Sequence, residues 1–188
     1  MPYDSNIHHR RSIRLKGYDY SQSGYYFITL YVKNGLHLFG EIIDQQMILN
    51  DAGRMADKWY KELEHKYPDI ECGEYMVMPN HFHCILFNNG HGNPNMQNNA
   101  GIVRHAAADA VLGEHPGSPL RNVIQWYKTM STNEYIRGVK TMGWKRFEGK
   151  LWHINYWEHI IRTQQSFDTI AAYILHNPQN WDTDTLKE

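Results

Sequence analysis

Two histidines, one residue apart, stand inside a long apolar run, Val77-Met78-Pro79-Asn80-His81-Phe82-His83-Cys84-Ile85-Leu86-Phe87. If this run is a β-strand, its side chains alternate between the faces of a sheet, so His81 and His83 share one face and Phe82 occupies the other. Two imidazoles about 7 Å apart along a strand can bind one divalent ion. A chain with 12 histidines also produces such a pair by chance, so the pair alone leaves metal binding and an ordinary strand both open.

A second element far along the chain favours a site. Residues 164–177 have the apolar spacing of a helix, with Phe167, Ile170 and Ile174 on its buried stripe. Tyr173 falls roughly 100° to one side of that stripe, and Asn177 is its neighbour on the same face. Together with the two histidines, these side chains would give two nitrogens and one oxygen for a metal, and a phenol for nucleophilic attack.

These motifs carry a family resemblance. Pro79-Asn80-His81-Phe82-His83 with Tyr173-x-x-x-Asn177 resembles the single-tyrosine HUH transposases. The stretches Arg11-Ser12-Ile13-Arg14-Leu15-Lys16-Gly17-Tyr18-Asp19-Tyr20 and Trp152-His153-Ile154-Asn155-Tyr156-Trp157-Glu158-His159-Ile160-Ile161-Arg162 resemble the REP-associated tyrosine transposase branch. The similarity extends from about residue 10 to Trp181 and is interrupted by an apparent insertion at 88–117.

The resemblance implies a DNA strand transferase. Tyr173 would be the catalytic nucleophile and would form a covalent 5′-phosphotyrosine with release of a 3′-hydroxyl. His81, His83 and Asn177 would hold Mg²⁺ or Mn²⁺, although imidazoles alone favour softer ions such as Zn²⁺ or Ni²⁺. The implied substrate is single-stranded DNA beside a hairpin, at REP-like or element-end sequences. A homodimer and a monomer are both known in this superfamily, and the resemblance leaves both open.

Two other readings stay open. A domesticated relative would bind hairpin DNA without cutting it, and the presence of all four site residues disfavours that reading. A metal-dependent phosphoesterase would use water as the nucleophile and would need the histidines but not Tyr173.

Charge is distributed unevenly along the chain. The formal net charge is −1, but the predicted N-terminal arm, residues 1–23, contains a basic cluster, and residues 118–162 contain eight basic residues against three acidic ones. Such asymmetry suits a one-sided phosphate-binding surface, and it is equally a feature of solvated faces. The candidate DNA contacts are Arg10, Arg11, Arg14, Lys16, Lys128, Lys145, Arg146 and Arg162.

The order of predicted elements indicates an α+β fold. Strands are expected at 25–32, 36–43, 47–49, 70–77, 81–87 and 155–161, and helices at 51–66, 119–137 and 164–177. Asn34-Gly35 is a turn signal of the hairpin type. We expect one ferredoxin-like (RRM-like) domain over residues 1–188, with helices on one face of an antiparallel sheet. The resemblance adds an extra C-terminal helix that carries the tyrosine. Residues 88–117, rich in Asn, Gly, Ala and His, are expected to form a flexible insertion.

The cysteine content and the distribution of apolar residues exclude several classes of protein. The two cysteines, Cys72 and Cys84, match no zinc or disulfide pattern. Neither an apolar leader nor an apolar run of 18 residues is present. The expected setting is therefore the cytoplasm, with no membrane partner.

Overall fold

The computed structural model describes residues 19–90 and 119–187. The basic cluster Arg10, Arg11, Arg14 and Lys16 and nearly all of the predicted 88–117 insertion lie outside these ranges. The strands are β1 Gly24–Tyr31, β2 Gly40–Ile43, β3 Gln46–Leu49, β4 Ile70–Val77, β5 His81–Asn88 and β6 Trp157–Ile161. The helices are α1 Asp51–Lys66, α2 Leu120–Thr141 and α3 Gln164–Leu175.

Four strands form the central sheet in the order β4-β5-β1-β6, and all neighbouring pairs are antiparallel. This order, with α1 between β1 and β4 and α2 between β5 and β6, is the ferredoxin-like topology, so the fold prediction is confirmed. β2 and β3 form a separate hairpin whose turn residues Asp44 and Gln45 both have positive φ. Asn34 and Gly35 form the expected turn, also with positive φ, but β1 pairs with β5 and β6 and not with the strand that follows the turn.

Alternation of side chains divides the sheet into two buried faces. One face packs against α1 and α2 and contains Tyr26, Ile28, Leu30, Phe82, Cys84 and Leu86. On the opposite face, Phe27, Ile85 and Ile161 pack against Ile174 of α3. The C-terminal helix therefore covers the face that the other two helices leave open, and the histidines of β5 lie under it.

Capping and turn chemistry set the bounds of the elements. Asn50 caps α1 because its side-chain oxygen accepts a hydrogen bond from Gly53 N at 2.9 Å. α3 ends at Leu175, two residues short of the prediction, because Pro178 cannot continue the helix. Leu38 and Phe39 donate their backbone N–H groups to Pro79 O, so the predicted strand at 36–43 is reduced to Gly40–Ile43.

Strand β5 is also supported through a bulge in its neighbour. The register of β4 shifts between Cys72 and Tyr75, and the hydroxyl of buried Tyr60 donates to Ile85 O at 2.7 Å. The carbonyl of β5 at the bulge is thereby satisfied by a side chain of α1.

The segment between β5 and α2 departs from and returns to one end of the sheet. Asn88, at the end of β5, pairs with Gly24, and Leu120 N–H at the start of α2 donates to Tyr20 O. His81 pairs with Tyr31 at the other end of the same two strands.

Phe82 offers a test of the packing that holds β5. Its ring stacks on Tyr127 at 5.3 Å and meets Tyr60 edge-on at 5.2 Å between ring centroids. Phe82→Ala should lower the free energy of unfolding by about 3–5 kcal/mol, because it leaves a cavity between both helices and the sheet. Denaturant unfolding measures the change, and Met142→Ala, at a side chain that is 60% exposed, should stay within about 0.5 kcal/mol of the parent. A loss below about 1 kcal/mol at Phe82 would contradict this packing.

Candidate active site

A backbone turn places the first histidine. Pro79 O accepts from Leu38 N and Phe39 N, and Asn80 O accepts from Val32 N at 2.8 Å. These bonds tie the turn before β5 to the residues that follow β1, so β5 starts with His81 directly opposite Tyr31.

His81 is completely buried and its ring is held by Asn80. His81 Nδ1 lies 2.8 Å from Asn80 Oδ1, and the Asn80 amide nitrogen donates to Leu186 O at 2.7 Å. Because the amide nitrogen is engaged there, its oxygen faces the ring, and Nδ1 of His81 carries the proton that it donates. Burial lowers the pKa of His81 to about 4. The negative charge of Asp184 and then the side chain of Asn177 act in the opposite direction and raise this pKa.

His83 is held from the neighbouring strand. Its Nδ1 lies 2.8 Å from Thr29 Oγ1, and Thr29 is its cross-strand partner in β1. The His81 and His83 ring centroids are 4.6 Å apart, closer than the spacing of the two residues along a strand. Burial, and then the charge of His81, lower the pKa of His83 well below its ordinary value, so both imidazoles are neutral near pH 7.

Tyr173 reaches the histidines from α3. Thr163 caps this helix by accepting from Ser166 N at 3.1 Å, and Ile174 anchors it on the sheet. The Tyr173 hydroxyl lies 3.4 Å from His83 Nε2, and its side chain remains 42% exposed. Burial, followed by the charge of Asp184, raises the pKa of Tyr173, whereas Asn177 lowers it. The phenol is therefore protonated at neutral pH and open to solvent on one side.

Asn177 begins the 3₁₀ helix Asn177–Thr183 that follows α3. Its side chain is buried, and its Oδ1 has no hydrogen-bond partner, as is also the case for His81 Nε2. Within residues 19–90 and 119–187, no group of three or more His, Cys, Asp or Glu side chains could hold a metal ion by itself. A metal at this position would therefore rely on the amide oxygen as well as on the imidazoles, and buried acceptors without donors are the chemistry that fits one.

No family model matches the chain. A protein of Haemophilus influenzae, described as uncharacterized, is 35% identical to it over 187 residues, which cover 98% of this chain and 96% of that protein. The chain belongs to the family of that protein. The relationship extends through both the histidine strand and the tyrosine helix.

Two solved structures are similar in fold. A REP-associated tyrosine transposase bound to a REP hairpin superimposes with a TM-score of 0.51 and 18% identity, over 90% of this chain and 74% of that one. A putative transposase from Deinococcus radiodurans gives a TM-score of 0.44 and 14% identity, over 87% of this chain and 96% of that one. The first likeness shows that the ferredoxin-like fold with its helices is shared.

The structure brings together four of the predicted site residues, His81, His83, Tyr173 and Asn177, and separates the described basic ones from them. Lys128 lies on α2, across the sheet from Tyr173, and its ammonium group donates to His153 O at 2.7 Å and Ile154 O at 3.3 Å. Burial lowers the pKa of Lys128 to about 8. Arg162 follows Ile161, which pairs with Tyr25 at the end of β1 away from the histidines.

Lys145 and Arg146 are exposed in the connector after α2. Trp144, just before them, packs against Gly138, where a Cβ atom would come within 2.3 Å of the indole ring. A DNA contact by any of these basic residues stays a prediction. No helix in the described ranges is long and apolar enough to cross a membrane.

Several residues of the site were missed by sequence reasoning. Thr29 and Asn80 orient the imidazoles, and Asp184 Oδ2 lies 3.7 Å from His81 Nε2. Trp157, 43% exposed, is stacked on His159 with an angle of 9° between the rings. Asn80 could have been noticed as part of the Pro-Asn-His motif, but the others depend on strand register or on the path of the C-terminal segment.

The lowered pKa values of the imidazoles predict an acid-sensitive fold. Below about pH 6.5, the histidines of the unfolded chain become protonated. In the folded chain, buried His81 and His83 stay neutral until the pH approaches their lower pKa values, about 4 for His81. Stability is therefore full above pH 6.5 and falls as the pH is lowered from about 6.5 towards 4, by at most about 1.4 kcal/mol per pH unit for each group.

Denaturant unfolding in EDTA at several pH values measures this slope. His83→Gln should flatten it, whereas His65→Gln, at a side chain that is 79% exposed, should leave it unchanged. Equal slopes in the parent and His83→Gln would contradict the neutral, buried imidazole.

Proposed function

We propose that this protein is a metal-dependent enzyme that cleaves single-stranded DNA through a covalent 5′-phosphotyrosine on Tyr173 and transfers the cut strand. The observation that carries the proposal is the approach of the Tyr173 hydroxyl to His83 Nε2, at 3.4 Å, next to buried acceptors of His81 and Asn177 that have no donor. A partly exposed phenol thus lies beside two buried, neutral imidazoles and a buried amide oxygen.

His81, His83 and Asn177 would hold the ion, Mg²⁺ or Mn²⁺. When bound, such an ion polarises phosphoryl oxygens and neutralises their charge. Thr29 and Asn80 keep the imidazole rings in place through their hydrogen bonds to the Nδ1 atoms. These two residues thereby leave the Nε2 atoms as ligands.

Tyr173 supplies the nucleophile. Its phenol loses its proton as the Oη–phosphorus bond forms, and the bond from phosphorus to the 3′-oxygen of the preceding nucleotide breaks. That oxygen takes up a proton and leaves as a 3′-hydroxyl, while the 5′-phosphate stays on the tyrosine. The tyrosine–DNA linkage is a phosphodiester, as is the DNA linkage that it replaces. A 3′-hydroxyl can therefore reverse the step and join strands without a nucleotide cofactor.

Exposed aromatic rings beside Tyr173 support single-stranded DNA as the substrate. Trp157 meets Phe27 edge-on at 5.3 Å, and Phe27 contacts both Tyr173 and His83. The rings of Trp157 and His159 are nearly parallel, and an exposed ring face of this pair is a surface on which an unpaired base can stack. The structural neighbour that shares the fold is bound to a REP hairpin, and we propose a hairpin-flanked strand here too.

Covalent trapping tests the reaction. The protein is incubated with labelled single-stranded hairpin DNA and Mg²⁺ or Mn²⁺ and resolved on a denaturing gel. A metal-dependent shifted band should form with the parent and with Tyr25→Phe, a tyrosine on the same sheet face at the other end of β1. The band should vanish in Tyr173→Phe, which lacks the nucleophilic oxygen but should bind DNA within about threefold of the parent affinity.

Three other results would overturn parts of the proposal. An adduct in Tyr173→Phe would exclude that residue as the nucleophile. Cleavage without any adduct would indicate a phosphoesterase that uses water. Binding without cleavage over a varied panel of hairpins would indicate a hairpin-binding protein.

Trp157→Ala tests the stacking surface. Loss of one base stacked on an aromatic ring should weaken single-stranded DNA binding by about 1–3 kcal/mol, or roughly 5- to 150-fold in Kd. Fluorescence anisotropy measures the Kd, Trp157→Phe should recover part of the affinity, and Ile48→Ala, an exposed apolar side chain of the separate hairpin, is the control. An unchanged Kd in Trp157→Ala would remove this surface from the proposal.

A further inference from the structure

Asp184 brings a carboxylate into the candidate active site. It follows the 3₁₀ helix Asn177–Thr183, and its side chain is only 6% exposed. Its Oδ1 accepts from Leu186 N at 2.8 Å, which turns Oδ2 towards His81. Asp184 Oδ2 lies 3.7 Å from His81 Nε2 and has no hydrogen-bond partner.

The two facing atoms are both acceptors. His81 uses Nδ1–H to donate to Asn80 Oδ1, because the Asn80 amide nitrogen is committed to Leu186 O and Lys187 O. In the neutral ring, Nε2 therefore offers a lone pair. Asn177 Oδ1 is a third buried acceptor without a donor. Three such atoms at one site lack a positive partner, and a cation would satisfy all of them.

The C-terminal segment is fastened at this position by contacts of its own. Trp181 is buried, with its ring centroid 5.4 Å from that of His37 and 6.0 Å from that of His81. Asn80 binds the backbone at Leu186 and Lys187. Asp184 is held between these two anchors, so its carboxylate is a fixed part of the site.

We propose that Asp184 is a further ligand of the divalent ion that the proposed function assigns to His81, His83 and Asn177, on which this inference rests. Two ligand atoms of one ion are roughly 3.0–3.5 Å apart when each is about 2.1 Å from it, and the 3.7 Å gap is close to that separation. A carboxylate adds negative charge and a hard oxygen to the two imidazoles. The resulting set of two nitrogens and two oxygens suits Mn²⁺ better than the imidazoles alone.

Mn²⁺ titration of the whole chain without DNA tests the inference, with free Mn²⁺ followed by electron paramagnetic resonance. Asp184→Asn keeps an acceptor for Leu186 N but removes the charge, and it should raise the Kd for Mn²⁺ about tenfold or more. Asp182→Asn is the matched control, because Asp182 is two residues away on the same segment and its side chain is 91% exposed. It should bind Mn²⁺ within twofold of the parent.

Folding is checked by thermal unfolding in EDTA, and Asp184→Ser replaces Asp184→Asn if the latter does not fold. Added Mn²⁺ should raise the Tm of the parent more than that of either Asp184 variant. If Asp184 serves only as an ion-pair partner of a protonated His81, the variants will lose stability in EDTA while their Mn²⁺ affinity equals that of the parent. That result would overturn the inference.

The outcome is separable from that of the proposed function. Asp184-dependent Mn²⁺ binding with no DNA cleavage would overturn the strand-transfer proposal and leave this one standing. Covalent trapping of DNA together with an unchanged Mn²⁺ affinity in Asp184→Asn would overturn this inference and leave the strand-transfer proposal standing. Absence of Mn²⁺ binding by the parent would overturn this inference whatever the cleavage result.

Discussion

The burial of β5 on both faces is the constraint on which the candidate site depends. The strand is hydrogen-bonded to β4 and β1 at its two edges, and residues 81–86 are all buried. Phe82, Cys84 and Leu86 belong to the larger core, so His81 and His83 must lie under α3 on the opposite face. Desolvation there keeps both imidazoles neutral, and neutral imidazoles with fixed Nδ1 partners are what a metal site requires.

The length of α3 brings Tyr173 to this strand. β6 advances about 3.3 Å per residue, so the four steps from Trp157 beside Thr29 to Ile161 beside Tyr25 span about 13 Å. α3 then returns along the sheet, and the nine steps from Gln164 to Tyr173 cover about 14 Å at 1.5 Å each. Tyr173 therefore arrives over the row that contains Trp157, Thr29 and His83.

Much of this arrangement follows from local sequence patterns. The alternation of side chains along a strand after Pro79 predicted that His81 and His83 share the face opposite Phe82, and the four-residue spacing predicted that Asn177 lies beside Tyr173. Other parts depend on which distant segments meet. Thr29 becomes a partner of His83 only through the β1–β5 register, and Asp184 reaches His81 only because the chain after Pro178 turns back against Asn80. Lys128 was predicted from charge alone, and charge does not reveal that backbone carbonyls engage its ammonium group.

The attachment points of the segment between β5 and α2 have a consequence for sequence change. Both points lie at the Gly24 end of the sheet, near Asn88 and Tyr20, whereas the histidines lie at the Tyr31 end. The entropy of closing such a connection rises only about 0.6 kcal/mol for each doubling of its length. Evolution can therefore lengthen, shorten or replace this connection while His81, His83, Tyr173 and Asn177 keep their positions, so relatives that differ widely there can share one arrangement of these side chains.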